Sequence, residues 1–138
     1  MDFKLYKGMP SESAQIRQTV FIDEQGFENE FDDIDNIATH IVIFEDKKAI
    51  ATCRVFFDNP HNAYMIGRIA VIKEFRGKHI GEMLMNIAHD IVKEMGGDSI
   101  MLSAQVRASE FYKKQGYTMA GDEYDDEGVP HILMVKKL

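Results

Sequence analysis

Apolar and polar residues alternate over residues 2–6, where Phe3 and Leu5 are spaced by Asp2, Lys4 and Tyr6. A period of two marks a strand, so the chain is expected to open on an edge strand. Pro10 and Ser11 then start a helix with Ile16, Val20 and Ala14 toward one side, ending near Gln25 and Gly26. Residues 27–37 are acidic and aperiodic, which predicts a surface loop. Residues 40–44 and 49–57 are rich in β-branched and aromatic side chains, and Glu45-Asp46-Lys47-Lys48 between them reads as a hairpin connection. Asn59-Pro60 turns the chain, and residues 64–71 form a nearly apolar run broken by Gly67 and Arg68, as expected of a covered central strand.

The strongest periodicity follows. Ile80, Met83, Leu84, Ile87, Ala88, Ile91, Val92 and Met95 trace one stripe of a helix, while Glu82, Asn86, Asp90 and Lys93 fall on its wet side. Gly96-Gly97 supplies the stop, and Ile100, Met101 and Leu102 begin another strand, so strand, helix and strand predict a parallel crossover. A short helix is expected over residues 107–115, closed by Gly116. Residues 117–120 and 131–135 read as a last pair of strands, joined by a long loop through the acidic segment 122–127. The pattern as a whole is that of a mixed α/β domain.

Composition narrows the function classes. A chain of 138 residues fits one domain, residues 1–138, with one core. A net charge of -7 argues against a nucleic-acid partner, which wants a basic face. No apolar run is long enough for a bilayer and the N-terminus lacks a signal-peptide stretch, so no membrane partner is expected. The single cysteine, Cys53, cannot form an internal disulfide; within an apolar run it reads as a structural thiol, and a reducing, cytoplasmic setting is expected. No metal is expected: there is no His-Glu-x-x-His, and residues 32–35 miss the spacing of a calcium loop.

One segment carries candidate chemistry. Arg76-Gly77-Lys78-His79-Ile80-Gly81 stands where a strand gives way to the long helix. Glycines there let backbone approach a ligand, and the first amides of a helix converge on one point where the dipole favours negative charge. Arg76 and Lys78 would add cationic partners. Spacing alone leaves two readings open, a phosphate-type anion site and a solvated turn. A GxxxxGK[ST] loop and a GxGxxG after a first strand are both absent.

Taken together, several segments resemble the GNAT superfamily of acyl-CoA-dependent acyltransferases. They are Val20-Phe21-Ile22-Asp23-Glu24-Gln25-Gly26, His40, Gly67-Arg68-Ile69-Ala70-Val71 with residues 76–81, and Ala104-Gln105-Val106-Arg107-Ala108-Ser109-Glu110-Phe111-Tyr112 with Lys114 and Gly116-Tyr117. The tail Glu127-Gly128-Val129-Pro130-His131 with Met134 is similar to a small bacterial, often uncharacterised, subgroup.

The resemblance implies a mixed central sheet flanked by helices with a splayed pair of strands, and acetyl-CoA as cosubstrate. It gives Ile69, Ala70 and Val71 to the pantetheine arm, Arg76, Gly77, Lys78, His79, Ile80 and Gly81 to the pyrophosphate, and Gln105 to the pantetheine as well. Two positions depart from the pattern: His79 stands where the signature usually has glycine, and Gln105 lies near a usual asparagine. The implied reaction is acetyl transfer to a primary amine of a small molecule, or of a protein, with Tyr112 protonating the departing thiolate and Glu24 serving the acceptor as base or cation-binding carboxylate. His40 and His131 could line the same cleft, though a histidine at a strand start more often has a structural role. The alternative is a non-catalytic acyl-CoA-binding or sensing module. The family also makes a homodimer reasonable.

Overall fold

A computed structural model describes all residues, Met1–Leu138. The elements in order are β1 (Asp2–Lys7), α1 (Ser11–Arg17), β2 (Thr39–Glu45), β3 (Lys48–Asp58), β4 (Ala63–Val71), α2 (Ile80–Glu94), β5 (Ser99–Gln105), α3 (Ser109–Lys114), β6 (Thr118–Asp126) and β7 (Val129–Lys137). The sheet runs β1-β2-β3-β4-β5-β7-β6. The chain packs as two compact units, Met1–Phe56 with Ile66–Ala88, and Phe57–Met65 with His89–Leu138, so β4 and α2 each contribute to both.

In the first unit β1 pairs antiparallel with β2, and β2 with β3. Ile41, Val42 and Ile43 are all fully buried, so β2 is covered on both faces. The β2–β3 turn places Asp46 and Lys47 at φ 48° and 69°, the two left-handed residues of a tight hairpin. Leu84 and Ala88 bury the core stripe of α2 as its period predicts; Met85, outside that stripe, is fully buried as well, and Met95 at its end is exposed. The first helix differs from expectation in kind: after α1 the chain continues as a π-helical segment, Gln18–Glu24, closed by Gly26 at φ 80°.

The acidic segment 27–37 lies at the surface over most of its length, as expected, but three of its residues are pinned into the fold. Phe27, Glu30 and Asp35 are buried, and Asp33–Asn36 forms a 3-10 turn. The cause lies elsewhere in the chain: Arg17 and Arg54 are each 3% exposed or less, and a buried guanidinium requires carboxylates beside it.

In the second unit β4 and β5 pair in parallel over Tyr64↔Ile100 and Met65↔Met101, the product of the expected crossover. Helix α2 ends on Gly96 at φ 87°, with Gly97 N–H to Val92 O at 2.9 Å and Gly96 N–H to Lys93 O at 3.0 Å, a Schellman cap. A β-carbon on Gly97 would lie 2.5 Å from Val92 and 2.7 Å from Tyr64, so glycine is required there by space. The tail is a second correction. Residues 122–126 belong to strand β6, and the turn is a tight one, Glu127 at φ 51° and Gly128 at φ 82°. β6 is exposed along almost its whole length at the sheet edge, so its charges stay in water and the apolar alternation that marks a strand is missing. A register shift between Ala120 and Tyr124 absorbs the extra residues.

Candidate functional site

The loop before α2 is built by two left-handed residues, Gly77 at φ 77° and His79 at φ 63°. They turn the chain so that α2 starts at Ile80, whose side chain is buried and anchors the helix end. The first intrahelical bond here is Met83 N–H to His79 O at 3.1 Å, so the amides of Ile80, Gly81 and Glu82 precede the α-helical ladder. Three amide donors at a helix N-terminus fit a pyrophosphate, and nothing lies within 4 Å of where a β-carbon on Gly77 would sit. His79 holds a backbone conformation that costs a side-chain-bearing residue about 1–2 kcal/mol. Its imidazole is 88% exposed, with Nδ1 3.2 Å from Glu82 Oε2. The Lys78 ammonium lies 5.1 Å from the centre of the Phe75 ring.

Arg76 and Glu24 meet each other. The guanidinium donates from Nη1 and Nη2 to the two carboxylate oxygens at 2.6 and 2.9 Å, and from Nε to Val71 O at 2.9 Å. Glu24's hydrogen bonds hold Arg76 more firmly protonated than an isolated arginine. The structure thus ties together Glu24, the end of β4 and the start of the 76–81 loop. Within β4, Ala70 is buried and Ile69 and Val71 are half-buried.

The first unit also holds a largely buried ion cluster absent from the sequence-based expectations. Arg17 donates to Glu30 at 2.8 Å and to Asp35 at 2.6 Å. Arg54 binds Asp32 through two nitrogens, at 2.6 and 3.0 Å, and Asp35 at 2.9 Å. Arg68 joins from β4, its Nε 3.1 Å from Glu30 and Nη2 3.4 Å from Asp32. Burial opposes ionisation of Asp35, but hydrogen bonds from Arg17, the Asp32 amide and Arg54 outweigh it and lower its pKa to about 2. His40, also buried, donates to Asp35 O at 3.0 Å, and desolvation lowers its pKa. It is a structural histidine. Cys53 is buried in β3, and desolvation pushes its thiol up. The sequence did hold a signal for the cluster: Arg17 lies on the helix face of Ser13, Ile16 and Val20, and Arg54 interrupts the apolar run of β3.

Gln105 and Tyr112 belong to the second unit. The Gln105 Oε1 accepts from Arg107 Nε at 2.7 Å. Tyr112 sits half-buried in α3, its ring edge-on to Phe111 at 5.1 Å and to Tyr117 at 6.1 Å. Its carbonyl accepts the amides of Gln115 and Tyr117 at 3.0 and 3.1 Å. Tyr117 is in turn fixed by a 2.7 Å hydrogen bond between its hydroxyl and Nε2 of buried His89. Desolvation, with Lys136 and Lys93 nearby, lowers the His89 pKa to about 4, so the ring that meets the Tyr117 hydroxyl is neutral. His131, buried, bonds Val129 O through Nδ1 at 2.8 Å and stacks on Tyr124 at 6.0 Å.

A profile for the acetyltransferase (GNAT) domain matches residues 9–138. The chain belongs to this family. The uncharacterized Bacillus subtilis N-acetyltransferase YjcF is 32% identical over 124 residues, 88% of this chain and 87% of its own length. YyaT from the same organism, also uncharacterized, is 33% identical over 132 residues, 92% and 88% of the two chains. Among solved structures, Escherichia coli ElaA superposes with a TM-score of 0.88 at 23% identity over 98% of both chains, and likewise shows the fold. The fold is therefore the mixed GNAT sheet flanked by helices, in a small bacterial subgroup of acetyltransferases. Family and fold together support acyl-CoA-dependent transfer as the general chemistry, and acetyl-CoA is a cosubstrate that suits the fold.

Proposed function

We propose that the protein transfers the acetyl group of acetyl-CoA to a primary amine of a small molecule. The observation that carries this reading is the row of amide donors at the start of α2, set by left-handed Gly77 and His79, in a chain that matches the family over residues 9–138. Gly77, Lys78, His79, Ile80 and Gly81 would hold the pyrophosphate, with Arg76 reaching it on release from Glu24. Backbone groups of Ile69, Ala70 and Val71, and the side chain of Gln105, would meet the pantetheine arm.

In the reaction a neutral amine attacks the thioester carbonyl carbon and the carbon–sulfur bond breaks. The electron pair leaves on sulfur, and Tyr112 donates the proton that makes the thiol. A phenol near 10 and a thiol near 8.5 are matched closely enough for transfer in the transition state. The amine's own proton goes to Glu24, or to water while Glu24 holds the cationic acceptor. Either role has Glu24 exchanging the Arg76 guanidinium for the ammonium, one cation for another.

That same ion pair favours a second reading, an acyl-CoA-binding or sensing module in which Glu24 never leaves Arg76. Calorimetry with acetyl-CoA and coenzyme A, then thiol release across an amine library, decides between them. Tyr112→Phe is expected to keep cofactor affinity and to lower turnover roughly 100-fold. Binding without release on any amine supports the module, and no binding at millimolar acetyl-CoA defeats both readings.

A further inference from the structure

Arg68 is the residue that the acyl-transfer reading leaves unexplained. It is left-handed, at φ 51°, within strand β4, whereas the other non-glycine residues with positive φ lie in turns or at the helix start. Arginine has no local hydrogen bond that favours this conformation, unlike asparagine or aspartate, so something outside β4 must hold it. The side chain shows what does. Its Nε lies 3.1 Å from the Glu30 carbonyl oxygen and 3.1 Å from Oε2, and Nη2 lies 3.4 Å from Asp32 Oδ2.

Both anchors are themselves fixed. Arg17 grips Glu30 at the carboxylate, 2.8 Å, and at the carbonyl, 2.9 Å. Arg54 grips both Asp32 oxygens. Three arginines face three carboxylates, so the cluster brings no net charge to the end of β4, and what it can supply is geometry. The peptide that follows Arg68 carries the N–H of Ile69, so the left-handed turn sets where that amide and those of Ala70 and Val71 point.

We propose that Glu30 and Asp32 are positioning residues, which through Arg68 hold β4 in its left-handed turn and aim the amides of Ile69, Ala70 and Val71. The proposal rests on the acyl-CoA reading for the ligand those amides meet. Arg68 acts here through its backbone, and its guanidinium is the handle.

Alanine and glycine at position 68 separate backbone from charge. Both remove the handle, but only glycine takes positive φ without strain. R68A is expected to weaken coenzyme A about tenfold, or about 1.4 kcal/mol, and to speed hydrogen exchange at the amides of Ile69, Ala70 and Val71. R68G is expected to recover most of that affinity and the protection. E30Q is expected to weaken binding beside Arg68 and to add nothing beside R68G. Equal affinity and equal exchange in R68A and R68G overturn the proposal, as does an E30Q effect of the same size in both backgrounds. If E30Q fails to fold, the alanine–glycine pair decides alone. Failure of the wild-type chain to bind coenzyme A would strike the acyl-CoA reading instead, and the exchange rates would still judge the backbone claim.

Discussion

At the scale of single residues, His79 holds a glycine's conformation with a side chain attached. Its φ of 63° carries a left-handed cost, while its ring reaches Glu82 from the wet side of the helix start. Glycine there removes the strain but adds freedom to the unfolded chain, so His79→Gly is expected to gain only about 0.5–1 kcal/mol. His79→Ala keeps a β-carbon and loses the Glu82 contact, so no gain is expected. Urea denaturation of the two variants checks the difference, and equal midpoints would mean that the left-handed turn costs nothing here. Arg76 offers a second test. Glu24→Gln releases one of its two holds and leaves the bond to Val71 O. If Arg76 serves the pyrophosphate, this variant binds coenzyme A about threefold tighter at low salt, the size of one exposed ion pair. An unchanged affinity in calorimetry would remove Arg76 from the cofactor's contacts.

At the scale of elements, the ion cluster decides which parts of the fold were legible in the sequence. Helix α2 and strands β2, β3 and β5 bury apolar stripes, and periodicity reports such stripes directly. The segment 27–37 is ordered by charges that lie up to 38 residues away, and no local window holds that information. The first part of β6 is legible, but residues 122–126 read as a loop because an exposed edge strand needs no apolar face. The candidate site divides in the same way. The glycine turn before α2 and Tyr112 in α3 are local motifs, whereas the Glu24–Arg76 pair, Arg68 and the His89–Tyr117 bond exist only once strands have paired. Removing one member of a buried pair leaves a charge uncompensated, at about 3–5 kcal/mol. Asp35 is the shared acceptor for Arg17 and Arg54. Asp35→Asn is therefore expected to lower stability by about that much and to raise proteolytic cleavage within residues 27–37. A loss under about 1 kcal/mol in urea denaturation would show that the cluster adds little beyond what water would give its members.

At the scale of the whole molecule, each unit stores its own response to acid. His89 would take a proton near its ordinary 6.5 in the unfolded chain, but burial and the flanking Lys136 and Lys93, against Asp90, hold it to about 4 in the fold. Between those values the unfolded state binds more protons, so stability falls as pH falls, by up to about 3 kcal/mol. His40 in the first unit is shifted the same way by desolvation. Asp35 acts lower: its contribution is complete above the ordinary 3.8 and is lost as pH falls toward about 2. Glu30 opposes this, because desolvation raises its pKa against the pull of Arg68 and Arg17, and protonation relieves it. Urea midpoints are therefore expected to drop between pH 6.5 and 4, with Glu30 working against the fall at the acid end of that window and Asp35 contributing only below 3.8. His89→Gln isolates the largest part, since its amide oxygen can accept the Tyr117 hydroxyl without titrating. That variant is expected to flatten the slope to the share left by His40. A flat wild-type profile from pH 7 to 4, or an unchanged slope in His89→Gln, would mean that His89 takes its proton in the fold as readily as out of it.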